Sequence, residues 1–292
     1  MSAIAYDRHV ENLGNMVELG HVNITIPDQI LATAFYISGL GLTRDPYLMT
    51  GIDNMWVNIG RSQFHLPAGK PQVLRGRTGL LLPEREALMH RLERIAPKLA
   101  RTQFAVKEHV AFVDVTCPWG NRYRCHFPGP EFGALRLGMP YVEFDVPPGA
   151  AAGIARFYTS VLHAPAELSA DATLVSIAAG PGQLLRYRET DHPIPPYLGE
   201  HVQVTLADFS GPHERLLALG LVTEESDQHQ YRFQDIVDPE GGNAVLFTIE
   251  HEVRSMRHPL FNRPLVNRNP AQTNRTYRPG HEELSWSNPI PV

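Results

Sequence analysis

The sequence is poor in cysteine and contains no long hydrophobic run. Its two cysteines, Cys117 and Cys125, are too few for a disulfide framework, which favours a reducing compartment. No apolar run approaches the roughly 20 residues that span a bilayer, and the first residues lack a basic stretch followed by an apolar one. We therefore expect a cytoplasmic protein without a membrane span or a signal peptide.

An excess of positive charge is also absent. Lys and Arg number 26 against 31 Asp and Glu, so the formal net charge of −5 gives no overall support for nucleic-acid binding. The dinucleotide-binding glycine pattern, the P-loop and the nucleophile elbow are missing as well, so those chemistries are not indicated. With 43% hydrophobic and 20% charged residues, the 292-residue chain has the composition of a globular protein of about two domains.

A repeated order of elements is the most informative feature of the sequence. An alternating segment at 19–28 precedes a helical pattern at 30–40 and three short strand candidates, and the same order recurs from Met139 onward. The two helices carry the related stretches AFYISGLGL and ARFYTSVLHA, around Phe35 and Phe157. Each half holds a second unit of this kind, whose last strands flank the turns CPWGN and DPEGG. The sequence thus predicts an α+β chain of four βαβββ units in two tandem pairs.

The expected domain boundaries follow from these repeats. We predict an N-terminal domain over 17–130 and a C-terminal domain over 138–250, each built from two consecutive units. An extended tail over 251–292 follows, rich in Pro, Asn and Arg. Apolar residues in this tail, including Leu260 and Phe261, indicate that it docks against the body instead of remaining disordered.

The segment GHVNITIPD followed by AFYISGLGL, the CPWGN and DPEGG turns and the count of four units resemble the vicinal oxygen chelate superfamily. This superfamily includes glyoxalase I, the extradiol dioxygenases and the bleomycin-resistance proteins, and the resemblance covers about residues 17–250. It implies tandem glyoxalase-like domains in which paired units curve around a cavity. It also implies that metal ligands come from the first and last strands of a unit. Because members differ in reaction, the chemistry stays open.

Three histidines in the N-terminal half are the candidate metal ligands. His21 lies in a first strand, where the resemblance implies a ligand, and His65 and His126 each stand two residues before a proline that ends a last strand. Because side chains alternate along a strand, this shared register puts both imidazoles on equivalent faces. Three imidazoles with open positions are typical of a catalytic site for iron, zinc or nickel. The alternative is that each is an ordinary half-buried polar residue.

The carboxylate that the resemblance implies is missing from this set. Arg124, Cys125 and His126 follow the CPWGN turn, so proton transfer by a metal-bound carboxylate in the glyoxalase manner is disfavoured. We expect Arg77 or Arg124 to bind a substrate carboxylate or enolate in catalysis, or else to lie on a wet strand face. A second possible site in the C-terminal half consists of Glu143, His201 and Glu250.

The sequence therefore predicts a metal-dependent enzyme that acts on a small oxygen-bearing substrate. A divalent metal is the expected cofactor, and an all-histidine site favours Fe(II) and a non-haem dioxygenase, which is an oxidoreductase. Two alternatives stay open: a glyoxalase-type lyase or isomerase with Zn, Ni or Mn, and a non-catalytic small-molecule binding protein. The expected partner is a small-molecule substrate, with no nucleic acid and no membrane, for a monomer or a homodimer.

Overall fold

A computed structural model describes residues 6–8, 11–45, 48, 53–263 and 265 of the chain. The described residues form four successive units in which one strand and one helix precede three further strands. The predicted α+β class and the four βαβββ units are therefore confirmed. No helix in the described part is long and apolar enough to cross a membrane.

The first two units fill the N-terminal half. In the first unit the Asp28 carboxylate caps the helix by accepting from two backbone N–H groups, and the helix continues as a π-helix over Thr33–Gly39. The elements of the first unit are β1 (Met16–Asn23), α1 (Gln29–Ala32), β2 (Thr43–Arg44), β3 (Asn54–Ile59) and β4 (Ser62–Pro67). Those of the second unit are β5 (Gly76–Leu81), α2 (Arg85–Leu99), β6 (Ala105–Glu108), β7 (Val113–Thr116) and β8 (Arg122–His126).

The last two units fill the C-terminal half and repeat this order. The third unit consists of β9 (Gly138–Val146), α3 (Ala151–Val161), β10 (Ala166–Leu168), β11 (Leu174–Ala178) and β12 (Leu184–Glu189). The fourth consists of β13 (His201–Leu206), α4 (Ser210–Ala218), β14 (Val222–Asp227), β15 (Gln230–Asp238) and β16 (Ala244–Ser255).

The sixteen strands form two eight-stranded mixed sheets, each with one unit from either half of the chain. The terminal sheet joins the first and fourth units in the order β14-β15-β16-β13-β1-β4-β3-β2. The central sheet joins the second and third units in the order β10-β11-β12-β9-β5-β8-β7-β6. In each sheet the two first strands of the units pair antiparallel at the centre, β1 with β13 and β5 with β9.

This pairing corrects the expectation that consecutive units share a sheet. β1 is bonded to β13, with Val22 opposite Val202, and β5 is bonded to β9, with Thr78 opposite Val142. The physical reason is that all four units have the same pattern. The repeat therefore predicts the strands of each unit, but not which two units pair through their first strands. The segment between β8 and β9 joins the two central units directly, and the two units at the ends of the chain pair with each other.

Consecutive units nevertheless share a hydrophobic core. The hydroxyls of Tyr36 in the first unit and Tyr123 in the second lie 2.6 Å apart and are buried. In the other half, the Tyr158 hydroxyl of the third unit lies 2.6 Å from Nε2 of His251 in the fourth. The boundaries at 17–130 and 138–250 stay a prediction, and each half is tied to the other through both sheets.

One face of the terminal sheet is apolar and the other is polar. Along β13, Val202, Val204 and Leu206 belong to the core, whereas His201 and Gln203 point to the opposite face. The residues on this opposite face of the neighbouring strands are also polar, and many of them are buried. A buried polar face is costly unless its groups find partners, which marks it as the functional face.

The beginning of the predicted tail belongs to the last strand, because β16 runs to Ser255. The described residues beyond it pack against the terminal sheet. Arg263 is buried and forms an ion pair with buried Asp45, and the Leu265 carbonyl accepts a hydrogen bond from the Asn58 amide at 3.1 Å. The rest of the predicted extended tail over 251–292 lies outside the described residues.

The sheet pairing predicts how fragments behave. We expect fragments 1–137 and 138–292, produced separately, not to be stable monomers, because each would expose the inner edges of two unfinished sheets. Mixed together, they should form a folded 1:1 complex. Light scattering after gel filtration and urea unfolding of each fragment and of the mixture test this expectation. A cooperative monomer formed by fragment 1–137 alone would contradict the pairing.

The buried ion pair between Asp45 and Arg263 predicts a large effect on stability. Replacing Arg263 by Met leaves the Asp45 carboxylate buried without this partner, so we expect the free energy of unfolding to fall by about 3–5 kcal/mol. The double variant Asp45→Asn with Arg263→Met should recover part of this loss. The control Arg61→Met removes an exposed contact to Asn262 and should change stability by less than about 0.5 kcal/mol in urea unfolding.

Candidate metal centre

Three buried residues from three adjacent strands meet on the polar face of the terminal sheet. They are His21 on β1, His201 on β13 and Glu252 on β16, and their ligand atoms all lie within 4.8 Å of one another. Their side chains come from segments at opposite ends of the described chain. The sheet pairing therefore creates the cluster.

The strand registers explain this meeting. In the parallel pair of β13 and β16, Glu252 is opposite Gln203, so His201 stands one diagonal step from Glu252. In the antiparallel pair of β1 and β13, His21 is also opposite Gln203, after an irregularity that follows Leu19. All three side chains therefore converge around one point of the sheet.

Two ring nitrogens of this cluster lack hydrogen-bond partners. Nε2 of His21 and Nε2 of His201 are buried, and neither has a hydrogen-bond partner in the structure. Nε2 of His201 lies 3.5 Å from Oε2 of Glu252. Leaving such a buried group unsatisfied costs about 1–3 kcal/mol, whereas a metal ion would use both lone pairs. The residues present thus fit a divalent metal.

Neighbouring charges orient two of the ligands. Oε1 of Glu250 lies 3.3 Å from Nδ1 of His201, which favours the ring proton on Nδ1 and leaves the Nε2 lone pair toward Glu252. The Glu252 carboxylate is held from both sides, by Nη2 of Arg232 at 2.7 Å and by Nη2 of Arg254 at 2.6 Å. These contacts fix the carboxylate before a metal binds.

The protonation states also suit a metal ligand set. Burial, only partly opposed by Glu252, lowers the pKa of His21 well below its usual value, so the ring is neutral near pH 7. Burial alone would raise the pKa of Glu252. The nearby His201, His21 and Arg254 outweigh it and hold the pKa of that carboxyl well below its usual value. Neither group has to lose a proton at neutral pH before it can bind a cation.

His65 lies beside the cluster in a different role. Its ring stacks on Trp56 with centroids 3.9 Å apart, and its centroid is 5.8 Å from that of His21. Burial lowers its pKa to about 3, so the ring is neutral. Nδ1 of His65 lies 2.6 Å from the Asn23 amide nitrogen, which donates to it, so the ring proton sits on Nε2. His65 Nε2 is therefore a buried donor without a partner in the described structure.

The structure brings together only part of the predicted ligand set. His21 and His65 are neighbours, but His126 lies on β8 in the central sheet, where its Nε2 is 2.9 Å from the Tyr141 hydroxyl. The expectation for His126 depended on pairing the first unit with the second. Both histidines stand two residues before a proline, but two further residues of β4 follow His65, whereas His126 is the last residue of β8.

The two arginines predicted to act in catalysis also lie in the central sheet. Arg77 on β5 forms an ion pair with Glu143 at 3.2 Å, and Arg124 on β8 forms a two-fold contact with Asp114 at 2.8 and 3.0 Å. Their guanidinium groups therefore already bind carboxylates of the protein. A role for Arg77 or Arg124 at the metal centre finds no support in this arrangement.

The second possible site is divided between the sheets. Glu143 lies on β9 in the central sheet, whereas His201 and Glu250 are neighbours in the terminal sheet. Glu252 was not predicted from the sequence, although it lies on the same face of β16 as Glu250, two residues away. The similar stretches HVNITI at His21 and HVQVTL at His201 are the signal that could have related the first and fourth units.

A small cavity adjoins the cluster. Its volume is about 250 Å³, and it is lined on the sheet side by residues that include His21, Gln203 and Arg254. Leu260 and Phe261 of the C-terminal segment line the other side. Of the three cluster residues His21 lines this cavity, so the space lies beside the candidate metal centre and suits a small polar molecule.

No protein-family model and no curated protein matches the sequence. Solved structures do match, with glyoxalase I from Zea mays at a TM-score of 0.56 and 12% identity over 86% of this chain and 95% of that one. The described residues therefore share the fold of glyoxalase I. A protein from Bacillus subtilis subsp. subtilis str. 168, described provisionally as a dioxygenase, matches at a TM-score of 0.52 and 13% identity, over 85% of this chain and 88% of its own.

The geometry of the cluster predicts which variants lose metal. Replacing His201 by Ala should abolish stoichiometric binding of Fe(II) or Zn(II), because two remaining ligands chelate weakly, while the sheet stays folded. The matched control His126→Ala should keep its metal. Elemental analysis and circular dichroism of untagged protein test both. If the His126 variant lost its metal and the His201 variant kept it, the result would instead support the ligand set His21, His65 and His126 that was predicted from the sequence.

Proposed function

We propose that the protein is a non-haem Fe(II) dioxygenase of vicinal oxygen chelate type that acts on a small oxygen-bearing substrate. The observation that carries this proposal is the buried set of two histidines and one glutamate, His21, His201 and Glu252. Two histidines and one carboxylate on one side of a metal, with open positions opposite, are typical of non-haem Fe(II) oxygenases. When bound, iron supplies the redox chemistry that activates dioxygen.

The surrounding residues hold the ligand side chains in position and compensate the charge of the carboxylate. Glu252 contributes one negative charge, and Arg232 and Arg254 keep that carboxylate ionised and in place. Glu250 holds the proton of His201 on Nδ1, so that Nε2 stays available as a ligand. A divalent ion bound by two imidazoles and one carboxylate would keep a net positive charge, which would favour binding of substrate oxygens in their anionic form.

His65 provides a hydrogen-bond donor at the same face. Its Nε2–H is buried and has no partner, and Asn23 fixes this tautomer through Nδ1. The low pKa of about 3 keeps the ring uncharged, so it can donate a hydrogen bond to a developing negative charge without adding a full positive charge. We assign His65 the role of binding and orienting an oxygen atom of the substrate.

A glyoxalase-type lyase or isomerase with Zn, Ni or Mn is the second candidate, because the same donor set also binds these ions. That chemistry needs a carboxylate that accepts a proton. Glu252 is a poor proton acceptor, since its ion pairs with Arg232 and Arg254 favour the ionised carboxylate. The ion pairs of Glu252 therefore favour the dioxygenase.

Oxygen uptake distinguishes the candidates. Protein loaded anaerobically with Fe(II) should consume dioxygen when a panel of catechols is added, and protein loaded with Zn(II) should not. Glu252→Gln should lower this rate by at least about 100-fold, because it weakens the metal site and its charge. Isomerisation of the glutathione hemithioacetal of methylglyoxal by Ni-loaded protein would instead support the glyoxalase alternative. Failure of the protein to retain any metal would support the alternative of a non-catalytic small-molecule binding protein.

The contact between Glu250 and His201 makes a separate prediction. Glu250→Gln removes the negative charge that orients the imidazole, so we expect Fe(II) affinity to fall by about 10–100-fold while the fold is retained. Competition with a chromophoric chelator measures this affinity. The control Glu240→Gln alters an exposed carboxylate near Arg156 and should leave Fe(II) affinity unchanged.

A further inference from the structure

The central sheet carries an aromatic residue and a cation where the terminal sheet carries two metal ligands. His201 stands one diagonal step from Glu252 across the parallel pair of β13 and β16. Tyr141 and Arg186 occupy the same diagonal across the parallel pair of β9 and β12. A guanidinium at this place repels a metal ion and attracts an anion. The polar face of the central sheet thus has a different chemical preference.

This face has more arginines than carboxylates. Among the described residues, strand alternation and ion pairing place five arginines and four carboxylates on it, and one of the carboxylates, Glu167, lies on the edge strand β10. Four of the arginines are bound by the other three carboxylates, in the pairs Arg122–Asp145 at 2.7 Å, Arg124–Asp114 at 2.8 Å, Arg77–Glu143 at 3.2 Å and Arg188–Glu143 at 3.3 Å. The fifth arginine is Arg186.

Arg186 has no carboxylate partner in the described part of the chain. Its guanidinium carbon lies 4.3 Å from the centroid of the Tyr141 ring, and its Nε is buried without a hydrogen-bond partner. A guanidinium offers a planar pair of N–H groups that matches a carboxylate. Arg186 is therefore a cation for which the described residues supply no anion.

Tyr141 is fixed beside this arginine. A Cβ atom on Gly79 would lie 2.4 Å from the Tyr141 ring, so the ring packs directly on the glycine backbone. The Tyr141 hydroxyl is 2.9 Å from Nε2 of His126, which holds the other end of the side chain. The ring under Arg186 is thus placed by its neighbours before any ligand arrives.

A large cleft opens next to this pair. Its volume is about 710 Å³, within the range of about 300–1,000 Å³ that is usual for small-molecule sites. Arg186 and Tyr141 line it, and much of the remaining wall is apolar, including Phe132, Leu135 and Leu184. The charged groups in the lining are Arg61, Arg186 and Glu131, so the cleft has a net positive charge.

We propose that this cleft is a second binding site, in which Arg186 binds the carboxylate of a small organic acid with an apolar body. The arginine beside Tyr141 recognises the carboxylate, and the apolar wall takes up the rest of the molecule. An inorganic anion would satisfy the arginine but leave the apolar wall in contact with water. The site is separate from the metal centre and does not depend on the proposed dioxygenase function.

Calorimetric titration of the full chain with octanoate tests the site. Octanoate should bind with one site per chain, and octan-1-ol, which lacks the charge, should bind at least about 10-fold more weakly. Arg186→Gln should weaken octanoate binding by at least about 10-fold. The matched control Arg188→Gln changes an arginine on the same strand that already pairs with Glu143, so its affinity should stay within about threefold of the wild type.

Two further variants keep the result interpretable. Arg186→Lys keeps the charge but not the planar pair of donors, so it should bind octanoate with intermediate affinity and also shows whether a change at Arg186 is tolerated by the fold. His201→Ala should bind octanoate as the wild type does. Equal binding by Arg186→Gln, loss of binding in His201→Ala, or no binding of octanoate or 2-naphthoate by the wild type at millimolar concentrations would overturn the proposal.

Discussion

The antiparallel pairing of β1 with β13 is the constraint on which the rest of the molecule depends. It joins the two ends of the described chain in one sheet and places the rings of His21 and His201 with centroids 5.5 Å apart. The same pairing sets Glu252 beside them through β16. Because backbone hydrogen bonds and buried side chains such as Val22 and Val202 maintain this contact, the site geometry exists without the metal. Affinity for a metal then depends on the ligands and their neighbours.

The sequence predicted the four units well but did not predict which units share a sheet, because the units resemble one another. Alternation, helix periodicity and the CPWGN and DPEGG turns are local signals, so they predicted each strand–helix–strand order. Four similar units can combine in several ways, and nothing in the alternation of β1 distinguishes β5 from β13 as its neighbour. The positions of His65 and His126 illustrate this limit. Each stands two residues before a proline, yet they lie in different sheets, because similar positions in a repeat do not imply proximity.

Strand register explains why one carboxylate of the centre was missed. Glu250 and Glu252 lie on the same face of β16, and only the register with β13 determines which of them faces the Nε2 atom of His201. Strand register is set by the pairing of two strands, so it cannot be read from the residue pattern of one strand. Two arginines then complete the arrangement from other positions, since Arg232 comes from β15 and Arg254 from the end of β16. A buried carboxylate with two such partners stays ionised, which a lone buried glutamate would not.

The polar faces of the two sheets differ in the charge of the ligand that they attract. In the terminal sheet, neutral imidazoles and a carboxylate attract a cation, and the nearby arginines are occupied with Glu250 and Glu252. In the central sheet, Arg77 and Arg124, which the sequence singled out, are neutralised by carboxylates of their own. Arg186 stays without a carboxylate partner among the residues that the structure describes. Arg61 lines both the cavity at the metal centre and the cleft at Arg186, so the two faces open beside one side chain. A negatively charged ligand in the cleft would therefore act on the same cation that borders the metal centre, and the coupling between them would be electrostatic and weakened by salt.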